Sequence, residues 1–209
     1  MIPSGSLIFL IDDDPSVRKG VSRLLRSAGY KSEAFECASD FLGREQHLGP
    51  ACVIVDVRMP GLNGMDLQET LIRREREEQL IFITGHGDVS MCAQAMKAGA
   101  VDFLPKPFRE DALLQCVERA LTRSVEQRRR SVEKNEARRL LGLLTPRELE
   151  VMQLVITGML NKQIAGELGT AEKTVKVHRG RMMRKLNITS VAELVRLAEK
   201  ASLEPTVSA

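Results

Sequence analysis

The chain has 209 residues, 43% of them hydrophobic, enough to bury a core and to exclude global disorder. Residues 1–122 carry 14 Lys+Arg against 18 Asp+Glu, residues 123–144 carry 7 against 3, and residues 145–209 carry 10 against 7, within a net charge of +3. An acidic front and a basic back predict two domains with different partners.

The first predicted element is the strand "LIFLI" (7–11). With its leading serine it is too short for a membrane span and no basic region precedes it, so a cytoplasmic protein is expected. Asp12, Asp13 and Asp14 follow, then "SVRKGVSRLLRSAG", in which Val17, Val21, Leu24 and Leu25 share a helical face and Gly29 marks the end. "KSEAF" (31–35), "CVIVD" (52–56), "LIFIT" (80–84) and "DFL" (102–104) read as further strands. "GMDLQETLIRR", "VSMCAQAMKAGA" and "EDALLQCVERAL" read as helices between and after them. Cys37, Cys52, Cys92 and Cys116 form no CxxC and predict reduced, mostly buried thiols. Strands alternating with helices predict an α/β domain, a five-stranded parallel doubly wound sheet of order 2-1-3-4-5. Ligands in such folds bind beyond the carboxyl ends of the strands, where the strand order switches direction.

The polar residues at those ends are distinctive. Asp12 and Asp13 follow strand one, Asp56 ends strand three, Thr84 ends strand four, and Lys106 follows strand five in "PKPF". The order 2-1-3-4-5 makes strands one and three neighbours, which brings the carboxylates together. Carboxylates that close raise one another's pKa unless a cation is present. An oxygen-only set suits Mg²⁺, which takes one or two carboxylates and phosphate oxygens. With the lysine and the hydroxyl, the set makes a place for a phosphoryl group on Asp56.

After that domain, residues 118–140 lack Gly and Pro and predict a charged helix. Its heptad pattern (Leu114, Leu121, Val125, Val132) meets Arg128, Asn135 and Arg139, so a solvated helix is expected rather than a coiled coil. The basic run Arg128–Arg130 reads as a solvated face or an aid to nucleic-acid affinity. "TPRE" then starts a helix, with Thr145 as N-cap, Pro146 in the first turn and Glu148 completing a capping box. Gly158 ends it, Asn161 is expected to cap a second helix, and Gly169 ends that one. In "EKTVKVHRGRMMRKL", Val175, Met182 and Leu186 are expected inside, with Lys173, Lys176, Arg179, Arg181, Arg184 and Lys185 exposed. A last helix runs from Ser190 to about Lys200. Two short helices with a glycine turn, the second basic, fit a recognition helix entering the major groove. Aromatic content of 3% argues against base stacking on single strands.

"IDDDPSVRKGV", "VDVRMPGLNG", "ITGHGDV", "AMKAGAVDFLPKPF" and "NKQIAGELGTAEKTVKVHR" occur in that order. Through them nearly the whole chain resembles two-component response regulators of the FixJ/NarL type, a receiver domain plus a LuxR-type helix-turn-helix. The resemblance implies a receiver at 1–122, a helical linker at 123–143 and an all-α four-helix DNA-binding domain at 144–209. It implies Asp56 as phosphoacceptor, Mg²⁺ held by Asp13, Asp56 and the carbonyl of Arg58 with Asp12 acting through water, and Thr84 and Lys106 on the phosphoryl oxygens. It also implies Phe103 as switch aromatic, a cis Lys106–Pro107 bond, and a dimer face including Ala93, Lys97 and Asp102. Arg58 and His86 flank the site, either to tune hydrolysis or as plain loop residues. On DNA, Lys176 and Val177 would face base edges, while Lys162, Lys173, Thr174, Arg179 and Lys185 would hold phosphates. Two departures stand out: Gly180 where relatives often carry a larger base-reader, and Ala171 where an N-cap serine is usual.

The implied partners are a sensor histidine kinase, double-stranded promoter DNA, a second copy of the chain on phosphorylation, and RNA polymerase. The function implied is transcription control switched by phosphorylation, without enzymatic turnover. Two other readings are a constitutive DNA-binding regulator with a non-signalling receiver, and an aspartyl-phosphate phosphotransferase. The acid that such an enzyme uses for turnover is absent at Val57 and Arg58.

Overall fold

The computed structural model describes residues 2–85 and 89–203; His86 lies outside them. The chain divides into two units, Met1–Arg128 and Arg129–Ala209.

In the first unit the order is β1 (Leu7–Ile11), α1 (Pro15–Ser27), β2 (Ser32–Phe35), α2 (Ala38–Gly43), β3 (Ala51–Asp56), α3 (Gly64–Arg73), β4 (Gln79–Thr84), α4 (Val89–Lys97) and β5 (Asp102–Pro105), followed by α5 (Glu110–Leu141). The strands form one parallel sheet of order β2-β1-β3-β4-β5. Successive side chains point to opposite faces, so each central strand feeds two cores. Phe9, Ile11, Val53, Val55 and Phe82 pack on one side with Leu67 and Leu71 of α3. Ile8, Leu10, Cys52, Ile54, Ile81 and Ile83 pack on the other with Val21 and Leu25 of α1 and with Leu113, Val117 and Leu121 of α5.

The strand and helix expectations hold with end shifts of a residue or so, and α2 is an addition. It has six residues, too few for a 3.6-residue period to show, and Cys37 gives it no side-chain cap. The caps of its neighbours are local and strong. Asp14 accepts the Ser16 N–H at 2.7 Å and starts α1, while Asn63 and Asp66 form a reciprocal capping box for α3.

α5 continues without a break from the first unit's core into the second unit's residues, so no chain break marks a separate linker. In the second unit it is followed by α6 (Pro146–Val155), α7 (Asn161–Glu167), α8 (Glu172–Lys185) and α9 (Val191–Ala201). Val151, Met152, Val155, Ile164, Val175, Met182, Leu186, Leu194 and Ala198 form their common core. Thr145 caps α6 in a capping box with Glu148, as its sequence predicts. α7 differs from expectation: Asn161 is its first helical residue, and the cap is Leu160, whose N–H is taken by Gln163 Oε1 at 2.8 Å. Ala171 begins α8 with no side-chain cap. Among the described residues no helix is long and apolar enough to cross a membrane.

Candidate functional site

Strand register builds the first site. Ile11 lies opposite Val55, so Asp12 and Asp56 emerge side by side beyond β1 and β3. Asp56 is opposite Ile83, and Thr84 is opposite Pro105, which places Lys106 one residue past the end of β5. The Lys106 N–H donates to the Thr84 carbonyl at 2.7 Å, and the Lys106–Pro107 bond is cis.

Lys106 Nζ lies 2.7 Å from Asp12 Oδ2 and 2.6 Å from Asp56 Oδ2. Asp12 is fully buried, Asp56 is buried and Asp13 exposed. Asp12 Oδ1 accepts the Asp14 N–H at 2.9 Å and Asp56 Oδ1 accepts the Arg58 N–H at 3.0 Å. Burial pushes the Asp12 carboxyl up, against the lowering effect of Lys106 and the Asp14 N–H. Burial alone would lower the Lys106 ammonium, but its bonds to Asp12 and Asp56 outweigh that and raise it. Oxygens of Asp12, Asp13 and Asp56 all lie within 4.8 Å of one another, a span that one ion can bridge. Three carboxylates face one ammonium, a hard-oxygen set with surplus negative charge, and that chemistry fits Mg²⁺.

Asp14 is spent on the α1 cap. Thr84 is buried at the rim of the same pocket. Phe103 is half-buried against the core, its ring 6.1 Å from that of Phe82. Ala93 and Lys97 are exposed on α4. Asp102 is engaged within its own unit: it pairs with Arg119 and accepts from Cys116 Sγ at 3.1 Å and from the Phe103 N–H at 2.8 Å. Burial would raise its carboxyl, and these donors hold it below the usual range instead. One contributor escaped the sequence. Arg18 Nη1 donates to the carbonyls of Asp12 at 2.6 Å and Asp13 at 2.9 Å, tying the acidic turn to α1. Its place one turn after the Asp14 cap was the available signal.

The second region is α8. Lys173, Thr174, Lys176 and Val177 are exposed on it, and Lys162 is exposed on α7. Arg179 is half-buried and donates to Asn161 Oδ1 at 3.0 Å. Lys185 departs from the phosphate-holding role expected of it. Its Nζ lies 2.6 Å from Glu148 Oε2 and 3.2 Å from the Leu143 carbonyl. Only 3% of the Glu148 side chain is exposed, against 38% for Lys185. Lys185, with help from the Thr145 N–H, drives the Glu148 carboxyl down to about 2. A capping-box glutamate is legible from "TPRE"; its long-range partner 37 residues away is not.

Residues 8–118 match the response regulator receiver domain, and residues 142–198 match the luxR family of bacterial regulatory proteins. Nodulation protein W of Bradyrhizobium diazoefficiens is 44% identical over 196 residues, covering 93% of this chain and 86% of that protein. The structure of the response regulator StyR superposes with a TM-score of 0.77 at 49% identity, covering 94% of this chain and 100% of that one. Full-length FixJ from B. japonicum gives 0.56 at 37% identity, with 96% and 98% covered.

Proposed function

The chain belongs to the response regulators that join a receiver domain to a LuxR-type DNA-binding domain, a family of transcriptional regulators, and from that membership we propose how its own residues carry the signal. A sensor histidine kinase delivers a phosphoryl group to the Asp56 carboxylate. A P–O bond forms there as the donor's P–N bond breaks. The observation that carries this reading is the double contact of Lys106 with Asp12 and Asp56, at the only place where buried carboxylates converge among the described residues.

Mg²⁺, held by Asp12, Asp13, Asp56 and the Arg58 carbonyl, would supply the positive charge that offsets the incoming oxygens. Lys106 exchanges a carboxylate oxygen for a phosphoryl oxygen, and the Thr84 hydroxyl donates to another. Movement of Thr84 vacates space into which Phe103, half-buried beside Phe82, turns. This shifts an existing equilibrium rather than creating a new fold. The exposed α4 residues Ala93 and Lys97 then face a second copy, and Asp102 supports that face through Arg119. The paired effector domains bind double-stranded promoter DNA. Lys176 and Val177 meet base edges; Lys162, Lys173, Thr174 and Arg179 hold phosphates. RNA polymerase is the recipient of the signal. We do not carry over Lys185 as a phosphate contact, because its ammonium serves Glu148.

The convergence of Asp12, Asp13, Asp56, Thr84 and Lys106 supports a signalling receiver over a constitutive regulator. The test is incubation with acetyl phosphate and Mg²⁺, with the label located by mass spectrometry and the mass followed by sedimentation. One phosphoryl group on Asp56, with dimer formation, is the expected result. Label elsewhere, or full labelling of Asp56→Asn, rejects the assignment.

A further inference from the structure

α8 buries Val175, Met182 and Leu186, and these fix which way the rest of the helix looks. Residues 173, 177, 180 and 184 are spaced by four, three and four, so they form one stripe on the face opposite the core. All four are exposed: Lys173, Val177, Gly180 and Arg184.

Gly180 is the odd member. It sits in ordinary helical backbone, and a Cβ built on it would meet nothing within 4 Å. A helix-interior glycine is unfavourable relative to alanine. Packing inside the domain gives no reason for this one. The reason lies outside, over the bare position. Arg184 occupies that space: its Nε donates to the Gly180 carbonyl at 3.3 Å. Long helical side chains lean toward the N-terminus and cover the preceding turn. Here the lean carries the guanidinium back about one turn, some 5.4 Å along the axis, toward Val177.

The other basic residues of the helix divide differently. Arg179 and Lys185 are tied to Asn161 and Glu148 within the domain. Among the described residues, the Arg184 Nη atoms have no hydrogen bond or ion pair. They form a planar fork with donors matched to guanine O6 and N7.

We propose that Arg184, folded back across Gly180, reads a base in the major groove from the place that a side chain at position 180 would otherwise fill. The inference rests on the DNA-binding reading above. It adds a specificity-determining residue and assigns Gly180 the role of making room for it.

The test is selection from a random double-stranded DNA library with the full-length protein treated with acetyl phosphate and Mg²⁺. Wild type, Arg184→Ala and Gly180→Leu are compared. Leucine is a good helix former, so the second variant keeps α8. Arg184→Ala should lose about 10- to 100-fold of the preference for guanine at one position per half-site, the others being retained. Gly180→Leu should lose the same position although Arg184 is intact. If Arg184→Ala keeps the motif, or weakens all sequences equally, the residue is no base reader and the proposal falls. A wild-type motif retained by Gly180→Leu overturns the role of the glycine and the proposal with it. If wild type enriches no motif while Asp56 is labelled, the DNA-binding reading itself fails and takes this inference down.

Discussion

Replacing Glu148 by glutamine isolates one charge in the DNA-binding unit. Glu148 Oε2 accepts the Thr145 N–H at 2.9 Å and lies 2.6 Å from Lys185 Nζ. Glutamine keeps an acceptor for Thr145, so the cap survives. Lys185 loses its counter-ion and retains the Leu143 carbonyl at 3.2 Å. A hydrogen bond to a charged group contributes about 1.5–3 kcal/mol. Lys185 is 38% exposed, so water screens the pair and takes up the released ammonium. The lower half of that range applies, about 1.5–2 kcal/mol. For a domain this small, each kcal/mol moves Tm by about 4–8 °C, so a drop of about 6–16 °C is expected. The chain has no tryptophan, and its one tyrosine, Tyr30, lies in the receiver, so calorimetry of the full chain is the suitable assay. The pH dependence gives the sharper test. Because Glu148 titrates at about 2 instead of near 4.5, its contribution is complete above pH 4.5 and fades as pH falls toward 2. The gap between wild type and Glu148→Gln should therefore be constant near neutrality and close below pH 4.5. A gap that persists unchanged to pH 2, or no gap at pH 7, would refute the ion-pair argument.

Asp13→Ala should lose Mg²⁺ affinity in a titration, whereas Asp14→Ala should keep it and lose about 1 kcal/mol of helix stability as a missing cap; equal losses would overturn the division of labour. Lys106→Ala should still take label from acetyl phosphate but sediment mainly as a monomer, and a normal phosphorylated dimer would remove the lysine from the switch. Lys176→Ala should cost about 1–3 kcal/mol of discrimination at the preferred site while leaving scrambled DNA nearly unaffected. A uniform loss with a flatter salt dependence would make it a phosphate contact.

The receiver was legible because its chemistry sits at strand ends. Five short apolar runs announce the sheet, and parallel order alone brings Asp12, Asp56, Thr84 and Lys106 to one edge. No side-chain packing has to be known for that. α2 was hidden because six residues give no period. The Arg18 clamp on the acidic turn was hidden because an arginine on an amphipathic helix looks like any solvated charge. In the second unit the helices were legible from Thr145, Pro146 and the glycines, but the fates of the α8 cations were not. Composition shows six basic residues on one helix. Which of them are free for a ligand depends on carboxylates and amides that other helices bring up, and Glu148 and Asn161 come from far along the chain.

Lys106 and Lys185 illustrate why such fates diverge. Each places its ammonium within 2.7 Å of a buried carboxylate. Around Lys185 the charges balance, one against one, and the glutamate is locked further by the Thr145 N–H. Moving that lysine to a phosphate would strand a buried anion, which costs several kcal/mol. Around Lys106 they do not balance: one ammonium is shared by Asp12 and Asp56, with Asp13 at the rim. Burial already raises the Asp12 carboxyl. A site with surplus anion gains from any added cation, and with the cation present Lys106 can leave one carboxylate without stranding it. The unbalanced lysine is therefore the one that can follow a phosphoryl group, and the balanced one holds a helix in place.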